Sequence, residues 1–295
     1  MALKHTSKGT PYLTAPEVCI IAATHVGRHV FGAESFVREL FPDTDYFEEI
    51  EEDIPLNDGA QLTKFAGQLC YLSFGAQRTR NAEASKYLEH VKANGHGSVF
   101  EHVSMSILFW GVSRAFTHEL VRHRAGFGFS QVSQRYVAGK HVRFVESLAT
   151  QFDHACAYSE ERQLGVVAEL HDCFEQWIDA CREEYERREQ LLLRRAGIDY
   201  KTATTDQRKA VRQEARRCLP NETEAPILVT GNIRAWRHFC EQRASEFADA
   251  ETCRNAFAAF EALCAHEPML WEDYIVSTDK RADGLPTVQT PYRKV

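Results

Sequence analysis

Long apolar runs are missing from this 295-residue chain, and stretches such as Ile107 to Trp110 fall far short of the ~18 residues that a membrane span needs. No membrane partner is expected. An excess of positive charge is missing too: 35 Lys and Arg stand against 42 Asp and Glu, a net charge of -7, which argues against a general nucleic-acid binder. The nine cysteines contain no C-x-x-C pair and form no dense framework, so reduced, mostly buried thiols are expected rather than disulfides. Residues Met1 to Pro11 lack the apolar segment of a secretory signal, which makes the cytoplasm the expected location. There is no G-x-x-x-x-G-K-[ST] phosphate loop and no G-x-S-x-G nucleophile elbow. Gly126-x-Gly128 has Gln131 where a dinucleotide fingerprint needs its third glycine. His118 and His123 are spaced i, i+5, which puts them about 140° apart around a helix and excludes the zinc-protease pattern. No other His/Cys grouping has ligand spacing, so no metal is expected.

What the chain does have is 44% hydrophobic and 26% charged residues, enough for a sizeable core. A strand is expected over Val18 to Ala23, followed by an acidic stretch (Asp43, Asp45, Glu48, Glu49, Glu51, Glu52, Asp53) that reads as solvated surface. A helix is expected over 82 to 94, closed by Gly95. Val103, Met105, Ile107 and Phe109 alternate with His102, Ser104, Ser106 and Leu108, the period of a half-buried strand. Ser113 can cap a helix reaching about Arg124, after which Gly126 and Gly128 break the pattern into a loop. The clearest helix covers 160 to 196, with Val167, Leu170, Phe174, Trp177, Cys181 and Tyr185 on one stripe. Further helices fit 206 to 218, Ile233 to Ala244 and Ala248 to Cys264, and the last sixteen residues read as a polar tail. The fold class is therefore α+β: one mainly helical domain with a small antiparallel sheet.

Charge is unevenly spread. Arg114 to Arg143 holds six cations and the single anion Glu119, and a second island holds Arg208, Lys209, Arg212, Arg216 and Arg217. Two basic islands in an acidic chain suggest a small anionic ligand. The densest stretch runs from Arg122-His123-Arg124 through Ser130-Gln131-Val132-Ser133-Gln134-Arg135-Tyr136. Such groups are costly to bury unless they hold an anion, and the competing reading is a solvated basic loop. Residue types alone leave both open.

Arg122-His123-Arg124 followed by Ser133-Gln134-Arg135-Tyr136 resembles the R-H-R…S-x-R-Y signature of the flavin-dependent thymidylate synthases. The resemblance covers roughly residues 60 to 275. His96-Gly97-Ser98-Val99-Phe100-Glu101-His102 is similar to that family's H-x-[ST]-x-x-E-H segment, and Leu72-Ser73 to its earlier serine segment. Arg216-Arg217-Cys218-Leu219-Pro220 resembles R-x-x-L-P, Asn232-Ile233-Arg234 the N-x-R flavin segment, and Arg243-Ala244-Ser245-Glu246 the element with the essential arginine.

The resemblance implies a flavin-dependent thymidylate synthase fold over residues 61–278, with an N-terminal extension, 1–60, packed on it and a tail, 279–295. It implies methylation of C5 of a uridine monophosphate, with 5,10-methylenetetrahydrofolate as carbon donor and NADPH-reduced FAD as hydride source. FAD is then expected at Ser73, Ser98, Glu101, Arg122, His123, Arg124, Gln131, Asn232, Arg234 and His238. The nucleotide is expected at Glu119, Arg122, Gln131, Ser133, Gln134, Arg135, Arg216 and Arg243, with Arg243 as the catalytic group. A homotetramer with shared sites follows from the same resemblance. Three departures stand out: eight residues rather than seven separate Arg124 from Ser133, Glu119 replaces a usual Gln, and Phe247 stands where a His is common. The longer spacing raises UMP as an alternative substrate to dUMP. A degenerate flavin or nucleotide binder without turnover is the alternative from another class.

Overall fold

The computed structural model describes residues 3–27, 31–44, 57–75, 83–137, 139–151, 154, 164–293 and 295. Nine strands are assigned among them: β1 (Leu3–His5), β2 (Pro11–Leu13), β3 (Glu17–Ala23), β4 (Ser104–Trp110), β5 (Phe127–Gln131), β6 (Phe144–Val145), β7 (Ile227–Asn232), β8 (Ile275–Ser277) and β9 (Thr287–Gln289). The central sheet has the order β3-β4-β7-β5 and is antiparallel throughout. Its middle strand, β4, alternates as its sequence requires: Met105, Ile107 and Phe109 are fully buried and the residues between them are partly or wholly open. Helices Asp58–Cys70, Ala84–Ala93, Ile233–Arg243 and Ala250–His266 surround a core that contains Phe100, Phe109, Phe116, Trp236 and Phe239. Fully buried Arg237 crosses this core, with Nη2 2.7 Å from Asp273, a carboxylate that also takes Lys92 at 2.9 Å. Pairing of this kind is what makes a buried guanidinium tolerable.

Helix ends follow their local chemistry. Ser113 accepts the Phe116 N–H at 3.2 Å, Thr204 and Gln207 form a reciprocal capping box, and Gly95 and Gly197 take positive φ just beyond their helices.

Several expectations need correction. The helix from Ser113 stops at Leu120, because the chain turns there into β5, so Arg122-His123-Arg124 lies in the turn beyond it. Gly126 makes the expected turn (φ +77°), but Gly128 does not sit in a loop: it pairs with Thr230 inside β5. Backbone pairing to β7 outweighs the weak strand preference of glycine there. On the long helix Leu164–Ala196, Val167, Phe174, Cys181 and Tyr185 are buried with Ile178, but Leu170 and Trp177 face outward. The helix expected to reach 218 ends at Ala215 and tightens into a 3₁₀ turn, Arg216–Cys218. The polar tail is instead packed: β9 pairs with β8, and Val288 and Val295 join the core. Of the eight described cysteines, all unpaired, three are buried, two half-buried and three exposed, so burial is less general than expected. Asp43 is exposed as expected, and the remaining acidic residues of that stretch, Asp45 to Asp53, lie outside the described residues.

Candidate active site

The turn that carries Arg122, His123 and Arg124 is pressed against the start of helix Ile233–Arg243. A Cβ on Gly126 would lie 2.8 Å from the Ala235 Cβ and 2.9 Å from the Asn232 side chain, so only glycine fits. Asn232 caps that helix, its Oδ1 accepting the Ala235 N–H at 2.8 Å. Between turn and helix opens a cleft of about 540 Å³ lined by Glu119, Arg122, His123, Arg124, Ala125, Phe127, Ala235, His238 and Arg243.

Arg243, the last helical residue, is held on two edges. Its Nε donates to His123 Nε2 at 2.8 Å, and its Nη2 lies 3.1 Å from Glu119 Oε2. Glu119 also approaches Arg122 at 3.5 Å. A guanidinium can only donate, so His123 must accept through Nε2 and carry its proton on Nδ1. Burial, then the Arg243 charge and then His238, push His123 down to about 4, which keeps the imidazole neutral at ordinary pH. Phe239 and His238 pack edge-on to the ring at 5.3 and 6.0 Å and fix its plane.

The other expected residues lie beside this cleft or away from it. Arg234 pairs with Glu101 at 2.6 Å beside the cleft, where both are largely open to solvent. Ser133, Gln134 and Arg135 do not line it; Arg135 reaches helix Thr205–Ala215, donating to Gln213 at 3.2 Å, and Lys209 of that helix sits over the Tyr136 ring. Arg216 follows that helix directly. Gln134 Nε2 and Arg135 Nε are buried donors with no hydrogen-bond partner among the described residues. Gln131 spends its amide on Thr117 Oγ1 at 3.0 Å. Ser73 lines a separate cleft of about 360 Å³ with Tyr71, Tyr87, His90 and His96, and Ser98 is exposed on the 3₁₀ turn Gly97–Glu101.

Phe127 and Ala235 in the first cleft, and Tyr71, Tyr87 and His90 in the second, were not singled out from the sequence. Nothing in their spacing marks them. The left-handed backbone of Leu72 (φ +47°), next to Ser73 and uncommon for a residue with a side chain, is visible only in the structure.

A cleft walled by guanidinium and imidazole groups, with no Ser, Thr or Cys among its lining residues, defines a class: sites that bind anionic cofactors or nucleotides and work by electrostatic stabilisation. The buried thiols agree with this, since burial raises Cys181 to about 11 and pushes Cys240 well above the usual thiol value.

Residues 54–269 match the family described as thymidylate synthase complementing protein. Among similar proteins, the flavin-dependent thymidylate synthase of Mycobacterium sp. (strain JLS) is 40% identical over 235 residues, 79% of this chain and 86% of that protein. The enzymes of the same name from Mycobacterium bovis (strain BCG / Pasteur 1173P2) and Mycobacterium tuberculosis (strain ATCC 25618 / H37Rv) are 38% identical over 257 residues, 86% of this chain and 94% of theirs. The chain belongs to the thymidylate synthase complementing protein family, the flavin-dependent thymidylate synthases.

Proposed function

We propose that this protein is an enzyme that methylates C5 of dUMP, with 5,10-methylenetetrahydrofolate as carbon donor, and that Arg243 is its catalytic group. The observation that carries this reading is the fixing of Arg243 between neutral His123 and ionic Glu119 at the wall of a cationic cleft. C5 becomes nucleophilic only as negative charge spreads over the pyrimidine ring and its carbonyls. A guanidinium already in place stabilises that charge without reorganising.

The donor set fits FAD: Arg122 and Arg124 face the cleft as cations suited to a pyrophosphate, and neutral His123 can lie against a flat ring without adding a charge. FAD, when bound, supplies the reducing equivalents drawn from NADPH. His238, Asn232, Arg234, Glu101, Gln131, Ser98 and Ser73 complete the proposed flavin contacts. Ser133, Gln134, Arg135 and Arg216, with Glu119 and Arg122 shared, are proposed to hold the nucleotide. The orphaned Gln134 and Arg135 donors support this, because a bound phosphate or carbonyl would satisfy them. Ser133 to Arg135 and Ser73 lie outside the Arg243 cleft, which supports a homotetramer whose sites combine residues of several subunits. Among the described residues no helix is long and apolar enough to cross a membrane, and we place the reaction in the cytoplasm. We propose residues 61–278 as the catalytic portion, with residues 1–60 as an N-terminal extension to it.

Five of the eight spacing residues are built into a regular strand: β5 pairs with β7 residue by residue from Phe127 to Gln131 with no bulge. It does not widen the site through a loose loop, so dUMP is the substrate we assign. Incubation with dUMP and UMP side by side, with FAD, NADPH and methylenetetrahydrofolate, should give dTMP from dUMP and at most about a tenth of that rate from UMP. Dominant 5-methyl-UMP would reverse the assignment. Bound flavin with neither product would show a binding protein.

A further inference from the structure

Helix Ile233–Arg243 ends on Arg243 itself, so the proposed catalytic guanidinium stands on the turn of a helix most prone to fraying. The chain just beyond it is tied down by a distant segment. Buried Ala244 accepts the Val288 N–H at 2.8 Å. The carbonyls of Ser245, Glu246 and Ala248 all accept from Arg281 Nη1, at 3.1, 3.3 and 2.7 Å. Arg281 turns its Nε and Nη2 to the Asp283 carboxylate at 2.8 and 2.5 Å, and its side chain is only 9% exposed. Every nitrogen of this guanidinium is engaged within the chain, so its task is geometric. Hydrophobic burial does not hold the turn, because its one large apolar residue, Phe247, is 90% exposed. Arg281 lies beyond residue 269, where the family match ends.

We propose that Arg281, anchored by Asp283, is a positioning residue for Arg243: by gathering the 245–248 carbonyls it stops the helix end from fraying and holds the catalytic guanidinium at its working angle. The inference rests on the role of Arg243 given above. Small errors in the placement of a catalytic group cost rate far more than they cost binding.

The test compares the wild type with Arg281→Met, which keeps length but removes every donor, and with Arg281→Lys. Arg281→Met should lower kcat about tenfold while the KM for dUMP and the bound-flavin absorbance stay within about twofold, and Arg281→Lys should recover part of the rate. Amide hydrogen exchange over 244–249 should be about tenfold faster in Arg281→Met. Faster exchange with unchanged kcat would overturn the proposal, as would unchanged exchange. Flavin lost in proportion to activity would show a general structural staple and overturn it too. If Arg281→Met does not fold, Asp283→Asn, which weakens the anchor and leaves the guanidinium, is judged by the same readouts. Absence of dTMP from the wild type would defeat the proposed reaction, a failure distinct from that of the clamp, which unchanged exchange in Arg281→Met overturns whatever the turnover.

Discussion

At the residue scale the site depends on who donates and who accepts. Arg243 presents a fixed charge to the cleft, so Arg243→Ala should reduce kcat by about 10²- to 10³-fold while leaving the flavin bound, as checked by turnover and visible absorbance on one preparation. Loss of flavin would show that the residue belongs to the cofactor site. His123 acts only as a neutral acceptor. Its folded value, about 4, lies below the usual 6.5, so between these values the unfolded chain binds more protons than the folded one. Stability from this group is therefore complete above about pH 6.5 and falls as the pH drops toward 4. His123→Gln, which keeps an acceptor but cannot titrate, should flatten the loss of Tm between pH 7 and pH 5. An unchanged slope would assign that acid sensitivity elsewhere. Arg122-His123-Arg124 was legible as a basic motif from the sequence, but that His123 stays uncharged was not, since that depends on burial and on a neighbour 120 positions away.

At the element scale, the match between sequence and structure depends on how local the cause is. The alternation of β4 and the Ser113 and Asn232 caps come from adjacent residues and were readable or consistent with the chain's own pattern. Strand β5 was hidden, because Gly126-Phe127-Gly128 resembles a loop until β7 supplies its hydrogen bonds. Gly126 is the joint between the Arg-His-Arg turn and helix Ile233–Arg243. Gly126→Ala combines a positive φ with a Cβ 2.8 Å from Ala235, and should cost about 1–3 kcal/mol. Denaturant melts and flavin content measure it, and an equally stable, flavin-loaded variant would mean that the turn tolerates displacement.

At the scale of the whole molecule, one surface stands out. Val166, Leu170, Cys173 and Trp177, spaced four, three and four along helix Leu164–Ala196, are all exposed, while the opposite stripe is buried. A seam of this spacing fits packing against another helix. Paired substitutions Leu170→Glu and Trp177→Glu should lower the mass measured by light scattering from the proposed tetramer to a smaller species, and activity should fall with it. An unchanged mass would place the subunit contacts on another face.

The sequence by itself determined the residue types of the cleft, the helices and strands with clear periodicity, and the family, because those features repeat locally or sit in short ordered motifs. The tertiary structure alone decided that the supposed tail is packed, that Glu119 and His123 flank Arg243, and that Arg281 gathers the carbonyls beyond it. These contacts join residues far apart in the chain. Their geometry is fixed by how helices pack on the sheet, and no local pattern of side chains encodes it.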